Sequence, residues 1–380
     1  MSLMLRALFP SGSTSSRFAA FRRFLGFVGP GFMIAVGYMD PGNWVTDLEA
    51  GSSYGYELLW VVLLSNLIAI LFQHLCVRLQ VATGLDLAQA CSRYYARPVT
   101  WFLWLSAQIG IVAMDLAELL GSAIALQLLF KIPIFWGAII TAADVLLLLA
   151  LNKLGYRWLE SVVAVLILTI AVCLGIELSL LPLHPPEILS GLWPHQHFWS
   201  EPNKLFIALG IIGATVMPHN LYLHSSIVGT RQWATDETSR REALRFATYD
   251  VTLTLVFAFL VNAALLIISA AAFHHATPGA QAVHDIRDAH QLLNGVLGTT
   301  MAGTLFAVAL LASGQNATIT GTLAGQIVIE GFLGIKPSAW LMRFATRLAA
   351  LFPALIVIGY IGEQKLGLLL MWSQVILSLQ

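Results

Sequence analysis

The motif DPGN at residues 40–43 interrupts an apolar stretch that is long enough to cross a bilayer. Proline lacks a backbone N–H, and the ring of Pro41 clashes with the carbonyl four residues earlier, which belongs to Gly37. The break therefore frees a backbone oxygen within about one helical turn of the Asp40 carboxylate. A simple proline kink would explain Pro41 and Gly42, but not the carboxylate and the Asn43 amide beside them. Because non-helical backbone at this depth must be buried in protein or line a cavity, we predict a binding site here.

The stretch IALGIIGATVMPHNLYLHS, residues 207–225, contains a second break of the same kind. Pro218 frees the carbonyl of Ala214 by the same geometry, and the Met217 thioether precedes the proline. Oxygen ligands alone suit Mg²⁺, Ca²⁺ or Mn²⁺, whereas a thioether shifts the preference toward softer transition metals. The two breaks together therefore predict a site for Mn²⁺ or Fe²⁺ that discriminates against Ca²⁺ and Mg²⁺. The alternative for Met217 is that it only fills a gap in the packing, a common role of methionine.

The sequence MDLAELLGS in the third apolar segment carries two acids, Asp115 and Glu118, on one helical face. Ionisable residues within membrane spans are costly and mark ion or proton pathways, so we predict a proton relay. The alternative is a structural ion pair with Arg343 or Arg347, which lie four residues apart in the ninth segment. Both interpretations hold together if a relay acid needs a counter-charge. His219, which follows the second break, is a further candidate because imidazole exchanges protons near neutral pH.

The composition identifies the class of protein. Of the 380 residues, 58% are hydrophobic and 11% are charged, and the mean hydropathy is +0.79. Soluble domains carry about 25% charged residues, so we predict an all-α integral membrane protein with about ten transmembrane helices. The apolar segments lie near residues 25–54, 57–82, 98–130, 132–151, 156–181, 203–229, 243–273, 292–332, 338–361 and 364–380.

The charge distribution and the positions of the breaks predict the topology. With a cytoplasmic N-terminus, the inner connections hold 16 of the 20 Lys and Arg residues, as the positive-inside rule requires. The breaks fall in the first and sixth segments, so each opens a block of five helices. Because five is odd, the blocks have inverted topology, and matched broken helices mark a transporter's central site. We predict a cytoplasmic arm at 1–24, a first repeat at 25–181, an extracellular loop at 182–202 and a second repeat at 203–380.

Several classes of function find no support in the sequence. Lys and Arg balance Asp and Glu at 20 each, which indicates no nucleic-acid partner. The 3 cysteines have no CxxC spacing, so neither a disulfide framework nor a thiolate metal site is indicated. We find no P-loop and no HExxH motif, so ATP-driven transport is unsupported, and we do not predict an enzyme. The Arg- and Ser-rich first residues resemble a transit peptide, but a cytoplasmic arm is the simpler interpretation.

The motifs DPGN, DLAE and MPHN occur in the first, third and sixth segments, and from residue 24 onward the chain resembles the natural resistance-associated macrophage protein (Nramp) family. Bacterial members are proton-dependent manganese transporters of the plasma membrane. The resemblance implies a LeuT-like 5+5 fold and alternating access, with Mn²⁺, Fe²⁺ and protons as substrates, no other cofactor, and a monomer. It implies a metal site formed by Asp40, Asn43, Met217, Gln374 and the carbonyls of Gly37 and Ala214. It also implies proton movement through His219, Asp115 and Glu118, with Arg343 and Arg347 as partners.

Two features depart from the family pattern. Gln108 stands where many members have a glutamate, which shortens the chain of acids by one group. The family usually has eleven or more helices, whereas this sequence ends in the tenth. The detailed proton route is therefore left open at this point.

Three other functions are alternatives. A sodium-coupled amino-acid symporter shares the architecture, but Asp40 would repel a substrate carboxylate. An intramembrane metalloenzyme built on His219, His224 and Glu118 lacks paired ligands at metal spacing. A channel is distinguished from a carrier by counter-transport, because only a carrier shows trans-stimulation. The stretch SGQNATITG at 313–321 is unusually polar for a helix core, and we predict that it lines the permeation path.

Overall fold

The computed structural model describes residues 30–153, 156–194, 198–231, 236–275, 285–297, 300–335 and 339–380. Every regular element in these ranges is helical, which confirms the predicted all-α class. In chain order the α-helices are α1 (Pro30–Ala35), α2 (Pro41–Tyr54), α3 (Leu59–Thr83), α4 (Leu87–Tyr94), α5 (Arg97–Phe130), α6 (Ile134–Lys153), α7 (Tyr156–Leu180), α8 (Pro185–Ser190), α9 (Pro202–Thr215), α10 (Pro218–Val228), α11 (Glu237–Ser269), α12 (Ile286–Leu297), α13 (Thr300–Leu333), α14 (Ala339–Ile356) and α15 (Leu366–Ser378).

The helices follow the apolar segments of the sequence. Within the described ranges, 6 helical stretches are long and apolar enough to cross a membrane: 59–83, 97–130, 161–180, 202–228, 237–274 and 301–333. Shorter apolar helices lie at 134–143, 344–360 and 366–378. The chain is therefore a multi-pass membrane protein. The predicted arm at 1–24 lies outside the described ranges, and the cytoplasmic N-terminus and the division into two repeats stay predictions.

Both proline motifs break their helices, as predicted. Helix α1 ends at Ala35, a 3-10 turn covers Gly37–Met39, and α2 begins at Pro41. In the second break, α9 ends at Thr215 and α10 begins at Pro218. Proline is favoured at a first helical position because the N–H it lacks would have no partner there. The same residue type therefore ends one helix and starts the next.

Glycines allow α2 and α13 to approach α5 closely. The ring of Pro41 rests where a Cβ on Gly121 would lie, and the Ser122 hydroxyl fills the corresponding position at Gly314. Small residues at such positions let backbones come together in a membrane, where packing and hydrogen bonds drive helix association. The pairing of α5 with α13 is the most extensive in the bundle. It brings the polar 313–321 stretch beside the first break.

Two ion-pair clusters lie at the end of the bundle that we predict to be extracellular. Lys204 of α9 is buried and pairs with Glu57 at 2.8 Å and with Glu201 at 3.2 Å. Arg287 pairs with Asp285 at 2.6 Å and with Glu363 at 3.1 Å. The hydrogen bonds with Asp285 raise the pKa of Arg287 above its ordinary value. The Lys204 cluster joins α9 to the segment between α2 and α3, and the Arg287 cluster joins α12 to the segment before α15.

Candidate metal site at the two helix breaks

Asp40 lies at the start of α2, where its backbone is extended and its side chain caps the helix. The Oδ1 atom accepts the Asn43 backbone N–H at 2.9 Å, and a helix N-terminus favours negative charge. The residue is fully buried, and its Oδ2 has no hydrogen-bond partner among the described residues. Because buried polar atoms in proteins are normally partnered, this oxygen is a candidate metal ligand.

The Asn43 side chain joins the two breaks. Its Nδ2 donates to Asp40 Oδ1 at 2.7 Å and to the Ala214 carbonyl at 2.9 Å. The Ala214 oxygen is the one that the proline geometry was predicted to free, and here it accepts a bond from the other break. The structure therefore brings together three of the predicted site residues, Asp40, Asn43 and Ala214. Asn43 and Ala214 are 171 positions apart in the sequence.

Two residues that the sequence did not single out hold the Asn43 oxygen. Thr215 Oγ1 donates to Asn43 Oδ1 at 3.4 Å, and Asn262 Nδ2 of α11 donates to the same atom at 3.3 Å. Asn262 Nδ2 also bonds the Tyr38 carbonyl at 2.8 Å. A signal for Asn262 was present, since it is an amide inside an otherwise apolar span. Its register against α2 was not visible in the sequence.

Met217 occupies the N-cap of α10 and is fully buried. Its neighbours are apolar: Ala113 and Met114 of α5 and Leu377 of α15. Asn220 Nδ2 donates to the Met217 sulfur at 3.6 Å. The same amide lies against Gly37 of the first break. The structure thus places the predicted residues Gly37 and Met217 on either side of one asparagine.

Gln374 of α15 contacts both helix breaks. Its amide fills the space that a side chain on Gly42 would occupy, and its backbone carbonyl packs directly on Gly213 of α9. Its Nε2 donates to Ser373 Oγ at 2.8 Å. The Oε1 atom is buried and, within the described part of the chain, lacks a partner. Gln374 is therefore a second candidate oxygen ligand beside Asp40 Oδ2.

The Gly213 contact supports a prediction about stability. A Gly213→Ala substitution places a Cβ against the Gln374 backbone, so we expect a loss of about 1–3 kcal/mol from overpacking. Gly175→Ala in α7 is the matched control, because no described atom lies within 4 Å of its added Cβ. That control should be neutral or slightly stabilising, since alanine is the better helix former. Thermal unfolding in detergent measures both, and equal unfolding temperatures would contradict the close contact.

The two acids of α5 share one buried arginine. Glu118 Oε2 lies 3.4 Å from Arg347 Nη2 of α14, and the same nitrogen donates to Thr318 Oγ1 at 2.6 Å. Asp115 also interacts electrostatically with Arg347. Pro41 of the first break packs on Gly121, three residues after Glu118, so this acid lies on the face of α5 toward the first break. The predicted pairing with an arginine is present for Arg347, whereas the side chain of Arg343 lies outside what the structure describes.

The two histidines of α10 have different surroundings. His219 is fully buried, and neither of its ring nitrogens finds a partner among the residues described. His224 Nδ1 bonds Gln73 Oε1 at 2.8 Å, and Gln73 Nε2 donates to the Tyr38 hydroxyl at 2.8 Å. His224 therefore belongs to a hydrogen-bonded chain that ends two residues before Asp40.

A conventional metalloenzyme site is not seen in the described ranges. No group of three or more His, Cys, Asp and Glu residues there is arranged to hold a metal ion. The alternative built on His219, His224 and Glu118 therefore has no support from the structure. The oxygen and sulfur atoms at the two breaks include one carboxylate, amides, a carbonyl and a thioether, which is the mixed set that suits a soft or borderline divalent cation.

Comparisons with known proteins show the family of the chain. The model of the family described as natural resistance-associated macrophage protein-like matches residues 31–380. A divalent metal cation transporter MntH from Nostoc sp. is 54% identical over 359 residues, which are 94% of this chain and 81% of the relative. The Listeria innocua protein of the same name is 51% identical over 360 residues, covering 95% of this chain and 80% of the relative.

Solved structures show the same fold. A crystal structure of a mutant manganese transporter from Eremococcus coleocola matches with a TM-score of 0.86 and 37% identity, covering 97% of this chain and 79% of the other. A nucleobase-cation-symport-1 family transporter matches with a TM-score of 0.63 and 14% identity, covering 90% of this chain and 75% of the other. The second likeness concerns the fold alone, and it confirms the LeuT-like class.

Proposed function

Because the chain belongs to the natural resistance-associated macrophage protein-like family, we propose that it imports Mn²⁺ and Fe²⁺ together with protons across the plasma membrane by alternating access. Relatives named as divalent metal cation transporters and a structural relative named as a manganese transporter support this proposal. The observation that carries it is the position of the Asn43 amide. It lies between Asp40 Oδ1 and the Ala214 carbonyl and so links the two breaks.

The Asn43 amide stands where a cation would bind both oxygens. Its N–H groups present partial positive charge to Asp40 and Ala214, as the metal would. Turning the amide by about half a turn exchanges its oxygen for its nitrogen, so that Oδ1 joins the other two oxygens as a ligand. After this turn Thr215 can accept from the amide nitrogen, because a hydroxyl both donates and accepts. Asn262 Nδ2 gives up its bond to Asn43 and keeps the one to the Tyr38 carbonyl.

The proposed metal ligands are the Asp40 and Asn43 side chains, the Met217 sulfur and the carbonyls of Gly37 and Ala214. Gln374 closes around the ion from α15, and its contacts with Gly42 and Gly213 support that role. Asp40, Asn43 and Met217 are at most 1% exposed. Release on either side therefore requires the helix segments at the breaks to move, as alternating access provides.

The proposed proton route starts at Asp40 and continues through Glu118 to Asp115. The packing of Pro41 on Gly121, three residues after Glu118, supports coupling, because a divalent cation at Asp40 changes the cost of charge on a nearby Glu118. Arg347 supplies the counter-charge for both α5 acids. His219 faces no described partner and is the proposed exchange group beside the second break. Gln108 takes no part as an acid.

Metal uptake into proteoliposomes, with the internal pH recorded, tests the proposal. We expect Mn²⁺ uptake to be accompanied by internal acidification and to be stimulated by Mn²⁺ on the opposite side. Uptake of an amino acid with Na⁺ in place of Mn²⁺ would support the symporter alternative instead. Mn²⁺ flux without trans-stimulation would indicate a channel.

Met217→Ala tests the role of the thioether. The variant loses the only sulfur ligand of the proposed set and keeps the oxygens, so we expect some Mn²⁺ uptake to persist while Ca²⁺ becomes an effective competitor. The measurement is inhibition of Mn²⁺ uptake by increasing Ca²⁺ concentrations. If the variant excludes Ca²⁺ as well as the parent does, the thioether does not determine selectivity.

A further inference from the structure

Asn220 is a buried amide that contacts both breaks. It lies in α10, three residues after Met217, and is fully buried. Its Nδ2 donates to the Met217 sulfur at 3.6 Å. Its Oδ1 has no partner in the part of the chain that the structure describes. Burying an amide whose oxygen lacks a hydrogen bond costs free energy. We therefore expect Asn220 to have a functional role that offsets this cost.

The Asn220 amide occupies the space beside Gly37 that a side chain at that position would fill. A Cβ on Gly37 would overlap Asn220 Nδ2 and lie 2.9 Å from both Cγ and Oδ1. The φ angle of Gly37 is not positive, since the positive-φ glycines in the described ranges are Gly55, Gly84, Gly334 and Gly362. Glycine is therefore needed at residue 37 to leave room for the Asn220 amide, and not to allow a left-handed backbone conformation. The amide fits between the sulfur and the first break.

We propose that Asn220 is a positioning residue that determines metal specificity by orienting the Met217 thioether. This inference rests on the proposed function of the site. A methionine side chain has three rotatable bonds and is easily redirected. The N–H bond to sulfur engages one lone pair and holds the side chain, so the remaining lone pair is directed toward the ion. Asn220 thus acts through Met217 and is not itself assigned as a ligand.

The expected effect is confined to soft metals. A hydrogen bond of this kind contributes about 1 kcal/mol, so its loss should lower the preference for Cd²⁺ over Ca²⁺ by about 5-fold. Binding of Ca²⁺ alone should change little, because Ca²⁺ takes oxygen ligands. A residue needed only for folding would instead weaken binding of both ions together.

The test is a double-mutant cycle with Asn220→Ala, Met217→Ala and the double variant. Competition of Cd²⁺ and Ca²⁺ against Mn²⁺ uptake gives the preference for each protein. We expect Asn220→Ala to lower the preference in the parent background and to have no further effect when Met217 is alanine, because coupled residues are non-additive. Equal effects in the two backgrounds would overturn the inference.

A second variant covers failure of Asn220→Ala to fold. Asn220→Leu has nearly the same size but carries neither a donor nor a charge, so it should show the same reduced preference if thermal unfolding matches that of the parent. Unchanged preference in a folded Asn220→Leu protein also overturns the inference. Gly175→Ala is the control and should behave as the parent. If the parent itself takes up neither Mn²⁺ nor Cd²⁺, the proposed function fails. If the parent prefers Cd²⁺ over Ca²⁺ and the Asn220 variant shows the same preference, only the inference about Asn220 fails.

Discussion

Asp40→Asn should lower Mn²⁺ uptake by about 100-fold or more, equivalent to about 2.7 kcal/mol. The substitution keeps the shape of the side chain and an oxygen that can accept the Asn43 N–H. It removes the carboxylate charge that faces the cation in a buried site, where charge interactions are strong. The fold should therefore persist while binding is lost. Uptake into proteoliposomes measures transport, and calorimetric titration with Mn²⁺ measures binding separately.

The matched control for Asp40 is an acid that lies away from the site. Glu237 is exposed at the start of α11 and pairs with Arg241 at 2.9 Å. Because exposed ion pairs contribute little, Glu237→Gln should leave uptake and unfolding temperature unchanged. Parent-like Mn²⁺ flux in a folded Asp40→Asn protein would contradict the proposed metal site.

Glu118→Gln should separate metal movement from proton movement. The acid is buried and lies beside Arg347, and its helix packs on Pro41 of the first break three residues later, at Gly121. Glutamine retains an oxygen that can face Arg347 but carries no exchangeable acid proton near neutral pH. We expect Mn²⁺ binding to persist, uptake to fall by about 10-fold, as is typical for groups that act beside a metal site, and internal acidification to disappear. The dependence of uptake on external pH should flatten in the same variant.

Glu177→Gln is the matched control for Glu118. Glu177 is also a fully buried glutamate, but it lies in α7 and neither of its carboxylate oxygens has a partner among the described residues. It has no place in the proposed proton route, so the ratio of protons to Mn²⁺ should equal that of the parent. If Glu118→Gln keeps the parent ratio, the relay through α5 is wrong and Glu118 serves only as the partner of Arg347.

Proline chemistry made much of the site predictable. The clash of a proline ring with the carbonyl four residues earlier is a local property, so it located the breaks and named Ala214 as a source of oxygen. The structure shows that oxygen bonded to Asn43. The positions of Asp40 and Met217 beside the breaks follow from the same local geometry. The assignment of Gln374 came from family resemblance, although an amide in the otherwise apolar α15 is the same local signal that Asn262 offers.

Partners that approach from other helices were less predictable. Asn262 and Gln73 contact the site region through side chains of α11 and α3, and Asn220 reaches Gly37 across the two breaks. These contacts depend on how each helix is rotated about its axis. Spacing along the chain sets the face on which a residue lies, but not which neighbouring helix that face meets.

The sequence by itself determined the membrane class, the two helix breaks and the chemical types of atom at them, because hydropathy and proline sterics act within about one turn of the chain. Only the tertiary structure decided that Arg347 pairs with Glu118, that Asn43 spans both breaks, and that one amide lies between Gly37 and Met217. Those outcomes are set by close packing of helices distant in sequence, where glycines at 37, 121 and 314 leave room for a facing ring, hydroxyl or amide.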